Sequence, residues 1–438
     1  MTCWLRGHSG GIGMADEERA IGGIGEARRI QEGGAGTGRA LARATAENAT
    51  RLDSGEAWED YCDTLREAGR LILEADQPDA DGVRAAGFRY LLGLVKVGAA
   101  QAAELADRDR PKWLRIEDSF SKWGAENADN HYLAAHISAD QTYRIRGVRG
   151  SCFTFLFEVR EGFMQLGDTG DFANLTAEEL EVDDDGHFEI IASADRHEGN
   201  WLPLDARARQ IVIRQYFKDW SNEVPATFEI ERVGDDGSSP AVLDSAAMAH
   251  VLDHAANWVR TSVDFWRGWI PELRQNHDPN GIAPAIKYVG GADDIRYGND
   301  YYRLPKGEAL VVDLTPPSAR YWSFQLCDVW FVTMDYTNRI ISLNDGQLHI
   351  DDDGRCRIVV SHVDPGTPNW LDTGGAEEGC LQYRYVWTED NPMPRVQRVK
   401  VSGVREILPA STPEITPTER GRQVLERRRA IGRREQLG

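Results

Sequence analysis

Apolar positions along the chain change period along its length. From Ser54, a plausible N-cap, the residues Trp58, Tyr61, Cys62, Leu65, Gly69, Ile72 and Leu73 recur at three and four, the spacing of an amphipathic helix, and Pro78 ends it. Phe88, Leu91, Leu92, Val95 and Ala99 repeat that pattern from Asp81 to Leu105, ahead of Pro111, so residues 51–125 read as an N-terminal helical unit. Beyond it come short β-branched and aromatic runs at 142–148, 152–159, 187–192, 210–217 and 226–233, separated by Gly and Asp clusters. Runs of the same kind fill 310–314, 322–327, 347–350, 356–361 and 381–387. Between the two groups, Met248, Val251, Leu252, Ala255, Trp258, Val259, Val263 and Trp266 return to helical spacing over 245–273.

The two groups of strands repeat one another. Asp183-Asp184-Asp185-Gly186, Asn200-Trp201-Leu202 and Arg214 recur in order as Asp351-Asp352-Asp353-Gly354, Asn369-Trp370-Leu371 and Arg384, displaced by about 170 residues, too long a period for a solenoid. The expected fold is therefore mainly β with α: two pseudo-repeated antiparallel β-sandwich domains of jelly-roll type at 126–235 and 297–405, each with its own core. A connecting helix occupies 241–277, a Gly-rich flexible arm 1–50 and a basic tail 406–438. The Asp-Asp-Asp-Gly segments supply hairpin turns, because Asp and Gly tolerate positive φ. They lack the twelve-residue pattern of a calcium loop.

The segments Tyr302-Arg303-Leu304-Pro305, Pro316-Pro317, Arg320-Tyr321-Trp322-Ser323-Phe324, Asn338-Arg339, Asp353-Gly354, Asn369-Trp370-Leu371 and Arg384 together resemble the bacterial domain-of-unknown-function family twelve-fourteen over residues 297–401. The resemblance implies a jelly-roll-like sandwich, often beside a related β-rich neighbour and helices, and it carries no reaction. The upstream second copy departs from the simplest family pattern.

Composition narrows the function. A formal charge of −21 disfavours nucleic acid and anionic membrane as partners, since both need basic surface. No apolar run is long enough to span a membrane and no secretory core opens the chain, so a cytoplasmic location is expected. The six scattered cysteines fit neither a zinc ribbon nor a disulfide scaffold and read as buried thiols. The arginines of the tail, Arg420 to Arg434, suggest docking on acidic surface of the same or a sister subunit, with a homo-oligomer as one outcome.

No nucleotide-binding, serine-hydrolase or kinase motif occurs, and no cofactor is implied. The candidate acid–base groups are Asp129, His131 and His136 at the approach to the first repeat, with Asp129 as base or as orienter of His131, and Asp195 with His197 in the loop before Asn200. His250 and His254 share a helix face but lack a third ligand, so no metal site is assigned. Residues present in both copies, Asn200/Asn369, Trp201/Trp370 and Arg214/Arg384, are explained first by the shared fold. Anion binding is the alternative for the arginines, which with Trp330 and Tyr336 are the candidate substrate-binding groups. Trp258, Trp266, Trp269, Trp322, Trp330 and Tyr336 could line a cleft between sandwich and helix. Together these features suggest an enzyme that hydrolyses or eliminates a small hydroxylated or glycosylated molecule by acid–base chemistry. A noncatalytic carbohydrate- or small-molecule-binding or assembly protein, and a metal-dependent enzyme, are the alternatives.

Overall fold

The structure, a computed structural model, describes residues 38–288, 291–292 and 294–436, with side chains from residue 45 onward. The expected arm lies outside these residues as far as 37, as does Cys3; from Gly38 the chain is helical. Helices α1 (Gly38–Ser54), α2 (Glu56–Glu74) and α3 (Val83–Glu104) make up the N-terminal unit. Ser54, expected to cap α2, instead ends α1, and Gly55 at φ 88° turns the chain between the two helices, a conformation glycine adopts without a Cβ clash.

Strands β1 (Leu114–Glu117), β2 (Asn130–His136), β3 (Tyr143–Val148), β4 (Thr154–Arg160), β5 (Asp171–Thr176), β6 (His187–Ser193), β7 (Trp201–Pro203), β8 (Gln210–Tyr216) and β9 (Thr227–Arg232) build the first repeat. They form an inner sheet ordered β1-β2-β8-β4-β5 and an outer sheet ordered β7-β6-β3-β9. The expected connecting helix is broken at Arg267 and Gly268 into α4 (Ser245–Trp266) and α5 (Trp269–Asn276), and Asp244 caps α4 by accepting from the Ala247 amide at 2.8 Å. The second repeat comprises β10 (Ile295–Arg303), β11 (Glu308–Leu314), β12 (Ala319–Cys327), β13 (Ser342–Asn344), β14 (Cys356–Ser361), β15 (Trp370–Asp372), β16 (Glu378–Thr388) and β17 (Arg395–Lys400). Its inner sheet runs β10-β16-β12-β13 and its outer sheet β15-β14-β11-β17. Setting β1 aside, the two topologies coincide strand for strand. Helices α6 (Val404–Ile407) and α7 (Pro417–Gln436) complete the described chain.

The repeated motifs have repeated structural tasks. The Asn200 amide donates to the carbonyls of Glu181 and Glu189, and the Asn369 amide to those of His349 and Arg357. The Trp201 indole donates to Ser193 Oγ at 3.2 Å and the Trp370 indole to Ser361 Oγ at 3.0 Å. Each Asn-Trp pair thereby fastens the short parallel strand β7 or β15 to its neighbour. Gly186 and Gly354 hold φ of 86° and 78° in the expected turns.

The copies do not have separate cores. Leu133, Phe155, Phe157 and Ile213 of the first repeat belong to the same buried cluster as Leu310, Phe324, Ile358 and Tyr383 of the second, and Ala430 and Ile431 of α7 join it. The opposite faces of the two inner sheets, through Tyr132, Ala134, Val212, Tyr301 and Cys380, pack with Leu91, Leu94, Trp258 and Val263 of α3 and α4. Each inner sheet is thus buried on both sides, and the helices lie across the junction of the repeats.

At that junction sits Asp129, fully buried. Its carboxylate accepts from the Trp220 indole at 2.7 Å, the Tyr321 hydroxyl at 2.6 Å and the Asn344 amide at 2.8 Å, joining one repeat to the other. The basic tail folds back onto this seam within the same chain. Arg420 pairs with Asp364 at 2.8 Å, Arg427 stacks over Trp220 and bonds the Ser342 carbonyl, and Arg434 donates to the Ala128 carbonyl at 2.7 Å. Burial lowers Arg427 to about 10, with Asp129 acting against it. Asp129→Ala strands three buried donors and is expected to cost at least about 3 kcal/mol in denaturant unfolding, whereas loss of under about 1 kcal/mol would show that the seam holds without this carboxylate.

Candidate functional site

Strand alternation decides what faces the junction. On the inner sheets Tyr132 lies directly across from Arg214, and Tyr297 directly across from Arg384. These are equivalent positions of the two repeats, and each guanidinium lies over its tyrosine ring, 5.6 Å and 5.7 Å from the centroids. Both pairs line a single cavity of about 150 Å³ between the sheets and the helices. Arg160, at the end of β4, also lines it.

The apolar wall comes from the helix side. Trp266 ends α4 and Trp269 begins α5, so the break in the connecting helix turns both indoles onto Phe331, with centroids 5.7 Å and 4.9 Å away and near-parallel rings. Two loops with unusual backbone meet there. Ala125 and Phe331 hold φ of 53° and 56°, and the Ala125 amide donates to the Phe331 carbonyl at 2.8 Å. Positive φ in a bulky residue such as Phe331 is uncommon and collects at functional sites. Gly124, at φ 60°, lets Trp266 approach; a Cβ there would stand 2.9 Å from the indole.

Two carboxyls complete the lining, Glu117 at the end of β1 and Glu126 beside Ala125. Burial pushes Glu126 up to about 7, against the pull of Lys122, whose ammonium lies 3.6 Å away and is itself lowered by burial. Burial and the neighbouring Glu126 push Glu117 well above the carboxylate range, opposed by Arg214, Arg384 and Arg160. Both groups can therefore carry a proton near neutral pH, as acid–base chemistry requires.

Of the candidate catalytic and substrate-binding residues named from the sequence, Arg214 and Arg384 alone meet at this cavity, although their presence in both copies had favoured a fold role. Asp129 is taken up by the seam, and its carboxylate bonds Trp220, Tyr321 and Asn344 instead of orienting His131. His131 is buried with Nδ1 3.4 Å from the Gln215 amide, and burial, then Arg115 and Arg434, holds it well below the usual imidazole range. His136 lies at the far end of β2, lowered to about 4 by burial. Asp195 and His197 stand in an exposed loop after β6. Trp330 donates to the Val83 carbonyl at 2.8 Å inside the helical core, and Tyr336 is buried under Lys122, so both are packing residues here. The five acid–base candidates thus do not converge on one site.

Among the aromatics proposed for a cleft, Trp266 and Trp269 line the cavity. His250 and His254 stand with ring centroids 4.1 Å apart, and no group of three potential ligands surrounds them or any other place among the described residues. The thiols of Cys152, Cys327, Cys356 and Cys380 are buried and raised by that burial. Glu117 and Glu126 escaped the sequence reading because neither sits in a motif.

Comparison with known proteins agrees with the duplication. The family model described as protein of unknown function (DUF1214) matches residues 157–218 and 293–390, once in each repeat. An uncharacterized protein from Burkholderia cenocepacia of known crystal structure is 34% identical, with 81% of this chain and 100% of that chain covered and a TM-score of 0.77. The VPA0106 protein from Vibrio parahaemolyticus is 11% identical over 72% of this chain and 98% of its own, with a TM-score of 0.42. A search of curated proteins finds no match. No helix among the described residues is long and apolar enough to cross a membrane.

The raised Glu126 has a signed consequence for stability. A carboxyl whose folded pKa exceeds its unfolded value stabilises fully below the unfolded value, near 4.5, and loses that contribution as pH rises to about 7. Glu126→Gln should therefore flatten the fall in unfolding free energy between these two values relative to the parent. Superimposable pH profiles would show that Glu126 titrates normally.

Proposed function

The chain belongs to the DUF1214 family, whose description names no activity, and from that premise we propose an enzyme that acts by acid–base chemistry on a small hydroxylated organic molecule held in the cavity between the repeats. The observation that carries this reading is that two carboxyls with protons held toward neutral pH open onto the same aromatic-walled space. Cavities of about 150 Å³ admit one aromatic ring, so the part of the substrate inside is the size of a single ring. Trp269 and Phe331, stacked on one another, both line that space and give it an aromatic wall.

The roles divide by environment. Glu126, poised at about 7, donates a proton to a departing oxygen. Glu117, which Arg214, Arg384 and Arg160 draw toward its ionised form, serves as the base toward water or a substrate proton. Hydrolysis and elimination both need this pairing of acid and base. The acid–base roles expected from the sequence for Asp129, His131, His136, Asp195 and His197 pass in this reading to the two glutamates.

Incubation of the protein with hydroxylated aromatic and alicyclic esters, ethers and glycosides, read by mass spectrometry, identifies the turnover. Glu126→Gln and Glu117→Gln are each expected to reduce it by about 100-fold or more while ligand affinity changes by only a few fold. Full turnover in both variants would overturn the assignment, and ligand-induced stabilisation without any mass change would favour a binding protein.

A further inference from the structure

The two repeats treat their equivalent arginines differently. On the first inner sheet Glu158 stands across from Val212, two residues before Arg214, and its carboxylate bonds Arg214. On the second, Gln325 stands across from Gln382, two residues before Arg384. The position that supplies a carboxylate to one arginine thus supplies a neutral amide to the other. That amide is already spent, since Gln325 Nε2 donates to the Glu126 carbonyl and to Gln382 Oε1, each at 2.8 Å, and its Oε1 accepts from the Ala128 amide.

Arg384 is only 5% exposed. Its Nη2 bonds the Ala125 carbonyl, its Nη1 has no hydrogen-bond partner, and it forms no ion pair among the described residues. Glu117, the carboxyl that its field acts on, is held toward the neutral form by burial. A buried guanidinium without a counter-charge is costly, and water can satisfy its hydrogen but not its charge. The same residue lines the aromatic cavity.

We propose that the molecule bound in the inter-repeat cavity is an anion, a carboxylate carried on a flat ring, with its carboxylate paired to Arg384 and its ring against Trp269 and Phe331. The proposal rests on the cavity being the substrate site and deepens that reading by naming the substrate class. Arg384 is the specificity residue, while Arg214, already neutralised by Glu158, shapes the opposite wall. The duplicated Tyr–Arg pair has the same geometry in both copies and a counter-ion in one.

The test compares benzoate with its neutral analogues benzamide and benzyl alcohol, by calorimetry on the full chain. The parent should bind benzoate at least about tenfold more tightly than either neutral ligand. Arg384→Gln should abolish that preference and leave benzamide affinity within about twofold. Should that variant fail to fold, Gln382→Glu, which adds a carboxylate to the same strand and the same cavity, should also erase the preference. Equal affinity for the three ligands, a preference that survives both substitutions, or no binding of any of them would overturn the proposal. Arg384-dependent benzoate binding in a protein that turns nothing over would retain the anion site and remove only the acid–base reading, and the two failures are thereby told apart.

Discussion

The buried carboxylate of Asp129 is the contact on which the junction between the repeats depends. It binds donors from both copies, Trp220 on one side and Tyr321 and Asn344 on the other, inside a space that the arginines of α7 close from above. A charge placed there is tolerated only because hydrogen bonds surround it and Arg427 and Arg434 lie close enough to act on it. The residues just before it, Gly124 to Glu126, form the wall of the cavity. Anchoring Asp129 therefore also fixes the strained Ala125, its bond to Phe331, and the carbonyl that Arg384 uses.

Duplication followed by divergence at the junction accounts for how a cavity arises. Two identical inner sheets meeting under a helical layer would present two identical Tyr–Arg pairs. The pairs persist, but the surroundings do not: one arginine keeps Glu158 and the other faces the neutral amide of Gln325. Helices α4 and α5 have no counterpart in the topology of either repeat, and they contribute the aromatic wall from one side only. The result is a space with a charged face made by the repeats and an apolar face where Trp266 and Trp269 of the insertion meet Phe331 of the second repeat.

Much of the architecture was legible in the sequence. The alternation of short apolar runs, the recurrence of Asp-Asp-Asp-Gly and Asn-Trp-Leu, and the helical spacing over 245–273 predicted the two sandwiches and the helix between them, because local patterns of burial and turn chemistry are written in neighbouring residues. The Asn-Trp clips show why recurrence is a sound guide to fold: both copies spend the amide on an equivalent pair of carbonyls. The same reasoning did not tell the two arginines apart. Recurrence of a single residue speaks for the fold, whereas what separates the two arginines is a neighbour, Glu158 against Gln325, and that pairing is visible only once strand register is known.

What the sequence determined by itself was the set of elements and their duplication, since helix and strand periodicity depend on residues a few positions apart. The tertiary structure alone decided which side chains meet. Asp129 and His131 are two residues apart yet serve different neighbours, while Arg214 and Arg384, far apart in the chain, face one cavity. Convergence of that kind depends on how two sheets dock and on where Trp266 and Trp269 fall at a helix break, and the long-range burial that sets both leaves no mark at any single position.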